Sequence, residues 1–137
     1  MQDTALAYLA GLPSFAIYFA SGTALLALFI AIYVHVTAHR ELRLIREGNS
    51  AAAASLGGAV IGFVLPLASS IENSVAFLDM LLWAAVALIV QTLGYLVVRA
   101  LVPQISADIA AGKTASGVFL GAMAIALGLL NAACMTY

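Results

Sequence analysis

Two stretches of this apolar chain hold side chains that could do chemistry. The first gathers Pro66, Ser69, Ser70, Glu72 and Asn73. Asn131, Ser21 and Thr23 lie at similar depth in other apolar runs, and Gln91 lies near the middle of the third. A proline inside a helix removes one backbone donor and frees the carbonyl four residues earlier, here that of Gly62. A freed carbonyl, hydroxyls and a carboxylate could form an ion or proton site on a broken helix, with Glu72 as the ionisable group. The preferred reading is plainer. The helix kinks, serines satisfy the freed groups, and Glu72 stands at the water interface, where charge costs little. Gln91 is read as interhelical glue before substrate contact; such bonds average about 0.6 kcal/mol.

The second stretch is His35, His39, Arg40, Glu41, Arg43, Arg46 and Glu47, directly after the first apolar run. Histidines four apart can share a metal, but no third ligand of matching spacing follows, so no metal is expected. Arg40, Arg43 and Arg46 could attract anionic lipid or a cytoplasmic partner. Interleaved Glu41 and Glu47 make the segment a solvated amphipathic extension rather than a strong polybasic site. Arg99 and Lys113 are the other two basic residues; snorkelling toward lipid phosphates accounts for Arg99 and His35. Cys134 is the only cysteine, which excludes an internal disulfide, and it reads as a buried, inert thiol. No hydrolase, kinase, haem or nucleotide motif is present and the acids are scattered. Neither enzymatic activity nor a cofactor is expected.

The elements that must position these residues are apolar runs. Hydrophobic residues make up 65% of the 137 and charged residues 8%, against roughly 25% charged in soluble domains. Lipid must be the solvent, so the backbone must satisfy itself within helices or a closed barrel. Runs of about 20 residues fit helices, and the alternating stretches of a barrel are absent. The chain is an all-α membrane protein forming one integral domain over residues 1–137. The predicted spans are Phe15 to Val36, Ala51 to Ile71, Leu78 to Leu101 and Ala115 to about Thr136. Gly48-Asn49-Ser50 and Gly112-Lys113-Thr114 read as turns that cap the second and fourth spans. The segment Met1 to Leu12 has no Lys or Arg, so the first span reads as retained rather than as a cleaved signal. A net charge of −1 without a basic face argues against nucleic acid.

All five Lys and Arg residues fall on one side of this pattern. Basic residues are retained in the cytoplasm, which places the loops after spans one and three inside and both termini outside, in the periplasm. Tyr18, Trp83 and Tyr137 at the outer ends, and Tyr33 and Tyr95 toward the inner ends, fit aromatic belts at the two interfaces. An internal repeat appears at an offset of 64 residues. Ile45, Gly48, Ala51, Leu56, Gly57, Ile61, Leu65 and Ala68 recur as Ile109, Gly112, Ala115, Leu120, Gly121, Ile125, Leu129 and Ala132. The four spans then form two parallel two-helix repeats, about 15–74 and 77–137. Gly57, Gly58, Gly62, Gly117 and Gly121 would pack helices closely, first within the chain and, as a second reading, at a homo-oligomer seam.

At this point the chain resembles a known family. The residues that carry the likeness are Gly48-Asn49-Ser50-Ala51-Ala52, Gly62-Phe63-Val64-Leu65-Pro66-Leu67, Ala87-Leu88-Ile89-Val90-Gln91, Gly112-Lys113-Thr114-Ala115 and the closing block Asn131 to Tyr137. They are similar to the YjfL-like bacterial inner-membrane proteins, whose domain is known as domain of unknown function 350. The resemblance spans about residues 15 to 137 and implies a multi-pass protein built from two-helix units. It brings no activity and no catalytic residues. The expected function is that of a structural or accessory inner-membrane protein, serving envelope maintenance through partners or lipids. The alternative is an oligomeric channel or transporter subunit with its path near Pro66, Glu72 and Asn131.

Overall fold

The computed structural model describes residues 1–136; Tyr137, assigned above to the outer belt, lies outside them. Six helices and no strands are present among the described residues: α1 Gln2–Val36, α2 Glu41–Arg46, α3 Ser50–Asn73, α4 Phe77–Leu101, α5 Ile105–Ala110 and α6 Thr114–Cys134. Four of them, α1, α3, α4 and α6, are long and apolar enough to cross a membrane. The all-helical, four-span reading therefore holds. The first helix starts earlier than predicted. Nothing between Gln2 and Leu12 breaks a helix, and Pro13 is accommodated inside α1. At 1.5 Å per residue, its 35 residues extend about 52 Å, more than the roughly 30 Å hydrocarbon core requires. Leu6, Tyr8, Leu9 and Leu12 in that extra length are all exposed.

The two basic loops are more ordered than a sequence of turn residues suggests. Each contains a six-residue helix, α2 or α5, that ends in a left-handed glycine: Gly48 at φ 86° and Gly112 at φ 83°. A side chain there would strain the backbone, so glycine is the residue that lets each short helix turn into the next span. Corresponding bonds close both turns: Asn49 N–H to Leu44 carbonyl and Lys113 N–H to Asp108 carbonyl, each 2.9 Å. The short helices, the glycines and the first residues of α3 and α6 are each offset by 64 positions.

Asn49 joins the two halves. Its side-chain oxygen accepts the N–H of Ala52, the cap anticipated for α3, while its amide nitrogen donates to the Ile109 carbonyl at 2.8 Å. Asn49→Ala should lower the thermal stability of the purified protein by about 1–2 kcal/mol. Asn49→Asp, which keeps the cap and loses the donor, should fall between Asn49→Ala and the parent in the same melting experiment.

The centre of the bundle is the crossing of α3 and α6. A Cβ added to Gly58, Gly117, Gly121 or Gly128 would lie closer than 3.0 Å to backbone atoms of the facing helix: Gly121, Ala51, Ala54 and Gly62 respectively. Backbone meets backbone at successive turns, the arrangement that small residues permit where lipid supplies no hydrophobic drive between helices. Gly57 takes no part in this contact. It is exposed, with nothing within 4 Å of where its Cβ would be. Gly128, not singled out above, does take part. The α1 helix packs on α3 by stacking Phe29 on Phe63, ring centroids 4.5 Å apart.

Candidate functional site

At mid-depth the proline and the glutamine meet. Helix α3 runs unbroken through Pro66, so the broken-helix picture does not apply. The carbonyl that Pro66 frees on Gly62 accepts Gln91 Nε2 at 2.8 Å, and the same nitrogen lies 3.1 Å from the Ala124 carbonyl. Gln91, 2% exposed, ties α4 to both α3 and α6. Gly62 leaves the room for this approach: an added Cβ would overlap the Ala124 carbonyl of α6 and would sit 3.0 Å from that amide nitrogen. Close to the end of the seam formed by the C-terminal turns of α3 and α6, Ser69 donates to the Ala132 carbonyl at 3.1 Å. Ser70 donates to Leu67 of its own helix at 2.7 Å.

Of the remaining members of the predicted polar pocket, Asn73 reaches Ser69 Oγ at 3.3 Å, while Glu72, Thr23 and Asn131 make no hydrogen bond to one another among the described residues. Glu72 is exposed in the last turn of α3. Asn73 donates to the Ser69 carbonyl, and Thr23 is exposed and donates to Phe19 of its own helix. The side-chain nitrogen of Asn131 is buried without a hydrogen-bond partner. An apolar cleft of about 420 Å³ lies between α4 and α6. Leu93, Val97, Met123 and Leu130 line it, with Gln91, Tyr33 and Tyr95 also in its wall. Those four apolar side chains are also exposed, so the cleft opens on the outside of the bundle.

The elbow between α1 and α2 departs furthest from expectation. Glu41, read above as part of a solvated extension, is completely buried, and His39 is 4% exposed. The chain leaves α1 at Val36 and turns through Thr37 to Arg40, carrying the first residue of α2 under the bundle. Thr37 Oγ1 donates to Glu41 Oε2 at 2.6 Å, and His39 Nε2 approaches Glu41 Oε1 at 3.2 Å. The angles of that approach do not make a hydrogen bond, so Glu41 Oε1 and both His39 ring nitrogens are buried without one. Tyr33 and Tyr95 are also buried, 5.5 Å apart edge to face, rather than placed at a lipid interface. Tyr95 Oη accepts the Ala38 N–H and pairs with Ser106 Oγ at 3.2 Å, which fastens the elbow to α4 and α5.

Outside this core stand the basic residues. Arg40, Arg43, Arg46 and Arg99 are exposed; Arg43 pairs with Glu47 at 2.9 Å and Lys113 with Asp108 at 3.0 Å. His35 is exposed against the Ala31 carbonyl and does not join His39, because α1 ends between them. No group of three metal-ligating side chains forms among the described residues. Cys134 is exposed at the end of α6, not buried as expected.

The family model described as Domain of Unknown Function (DUF350) matches residues 7–135. The chain belongs to that family. It is 40% identical over 126 residues to the UPF0719 inner membrane protein YjfL of Escherichia coli strain K12, covering 92% of this chain and 96% of that protein. It is 27% identical over 97 residues to the UPF0719 transmembrane protein YshE of Bacillus subtilis strain 168, covering 71% and 72%. No solved structure matches.

Within this DUF350 chain, sequence reasoning found the Gln91 and Pro66 contacts separately and missed that they are one contact. It missed Glu41 as a buried group altogether. A signal for Glu41 was available in hindsight: Thr37, His39 and Glu41 are a polar run at alternate positions across a helix end, the place where a chain reverses into its own core.

Proposed function

We propose that this DUF350 member is a non-catalytic structural or accessory protein of the inner membrane. It would act in envelope maintenance through lipids or a partner met at its inner basic loop. The observation that carries this reading is the use of the polar side chains inside the bundle. Gln91, Ser69, Ser70 and Ser55 each bond a backbone carbonyl. These groups act as braces between and within helices, and the ionisable Glu72 is outside the bundle rather than on a path through it. The backbone-to-backbone seam of α3 and α6 supports the same reading. The basic loops face the cytoplasm and both termini the periplasm, on the five-to-none distribution of Lys and Arg. The 64-residue offset of α2 with α5 and of Gly48 with Gly112 supports two parallel repeats of one helix–loop–helix unit.

The test is ion flux in proteoliposomes across a range of voltage and pH, with Glu72→Gln beside the parent protein. Both should match protein-free liposomes. Flux above that background, reduced by Glu72→Gln, would overturn the accessory reading in favour of a channel.

A further inference from the structure

We propose that the buried His39–Glu41 pair is a proton-operated latch that holds the elbow between α1 and α2 closed against α4 and α5. The two side chains are 1% and 0% exposed and 3.2 Å apart. Neither side chain can reach water without moving the segment from Thr37 to Arg46. With one proton between them the pair carries no net charge, whether as neutral acid and imidazole or as an ion pair. Removing that proton leaves a lone buried carboxylate; adding a second leaves a lone buried imidazolium. A buried charge without its counter-charge is strongly destabilising, and the chain relieves it by letting water in. The unpartnered ring nitrogens and Oε1 mark this as the place where such solvation would begin.

Thr37 Oγ1 donates one hydrogen bond to Glu41 Oε2, and the surroundings supply no counter-charge. From α1, Tyr33 lies within electrostatic reach of Glu41, and from α4 Tyr95 packs on Tyr33. Helix α3 brings no charged residue to this end, since its one acid, Glu72, is in its last turn. On α5, Asp108 is held by Lys113, while Arg40 and Arg43 on the elbow itself point to solvent, as does Arg99 beyond Tyr95. Only the pair's own proton count decides whether a charge is stranded. What opening would release is the set of contacts of Ala38 and Ser106 with Tyr95. Opening would also bring Glu41 out beside Arg40, Arg43 and Arg46, which while closed share the surface with a single acid, Glu47. This last consequence rests on the proposed lipid- or partner-facing role of that loop; the latch itself does not.

The experiment is hydrogen exchange by mass spectrometry on the full chain in nanodiscs of neutral lipid, between roughly pH 5 and 10, corrected for intrinsic exchange. The amides of 37–46 should be protected near neutrality and lose about tenfold or more of that protection toward alkaline pH, while α4 and α6 stay protected. Glu41→Gln cannot lose the proton and should abolish the alkaline limb; His39→Gln should abolish any acid limb. Elbow protection in the parent protein that is flat with pH overturns the latch, as does an alkaline limb unchanged in Glu41→Gln. The parent's own profile decides the matter if a variant does not fold. Repeating the measurement with anionic lipid addresses the loop's partner instead. Added protection at Arg40 to Arg46 supports the lipid reading, and its absence overturns that reading without touching the latch.

Discussion

Gly58→Ile or Gly121→Ile should abolish the folded bundle, while Gly57→Ile, one residue away, should leave it intact. The difference is geometric. A Cβ on Gly121 would sit 2.5 Å from the Ala54 carbonyl oxygen, and one on Gly58 would overlap the Gly121 backbone. Backbone atoms cannot rotate aside as the end of a side chain can, so α3 and α6 would have to separate. Overpacking of a tight core costs about 1–3 kcal/mol, and more where nothing can yield. Separation would also break the Gln91 and Ser69 contacts that cross the same seam. A loss of at least about 3 kcal/mol is therefore expected. It would be read as the fraction remaining monodisperse on size exclusion and as helical content after mild heating. Gly57 faces open space. If Gly57→Ile disrupts the protein as strongly, the intramolecular seam is not what these glycines serve, and the oligomer reading of Gly57 gains support.

Gln91→Leu should destabilise the protein by about 1–3 kcal/mol, the cost of leaving a buried carbonyl without its donor. That is larger than the ~0.6 kcal/mol average for polar pairs in membranes. The reason is Pro66. A carbonyl in an ordinary helix already accepts from the residue four positions on, but Gly62 has no such donor. Pro66→Ala would restore it. In a Pro66→Ala background Gln91→Leu should therefore cost clearly less, by about 1 kcal/mol in a double-mutant cycle on thermal unfolding. Additive effects of the two substitutions would show that Gln91 serves something other than the Gly62 carbonyl.

These two regions show how much was legible before the structure. The number of membrane-length helices, the span boundaries on α3, α4 and α6, and the capping turn at Asn49 follow from local signals, whereas the short loop helices α2 and α5 do not. Apolar run length, turn glycines and a cap residue act within a few positions of themselves. The glycine pairs 58/62 and 117/121 were legible as packing faces because small residues at four-residue spacing lie on one side of a helix. The side on which Gly57 falls was not, since adjacent positions differ by about 100° around the helix and the contact face depends on where the other helix crosses. The first span was placed from Phe15, whereas α1 begins at Gln2 and contains Pro13 without ending.

The composition and charge distribution of this sequence determine an all-helical chain with four membrane-length segments and basic residues gathered on one side. Those properties come from the solvent each segment must enter, and the chain cannot change that by folding. The tertiary structure alone decided that Gln91 answers Pro66 and that α3 meets α6 through bare backbone. It also placed Glu41 and His39 inside, where charge-rich neighbours suggested water. Each of these depends on a contact between residues distant in sequence or on a reversal of the chain. A carboxylate's burial is settled by what is packed over it, not by what precedes it.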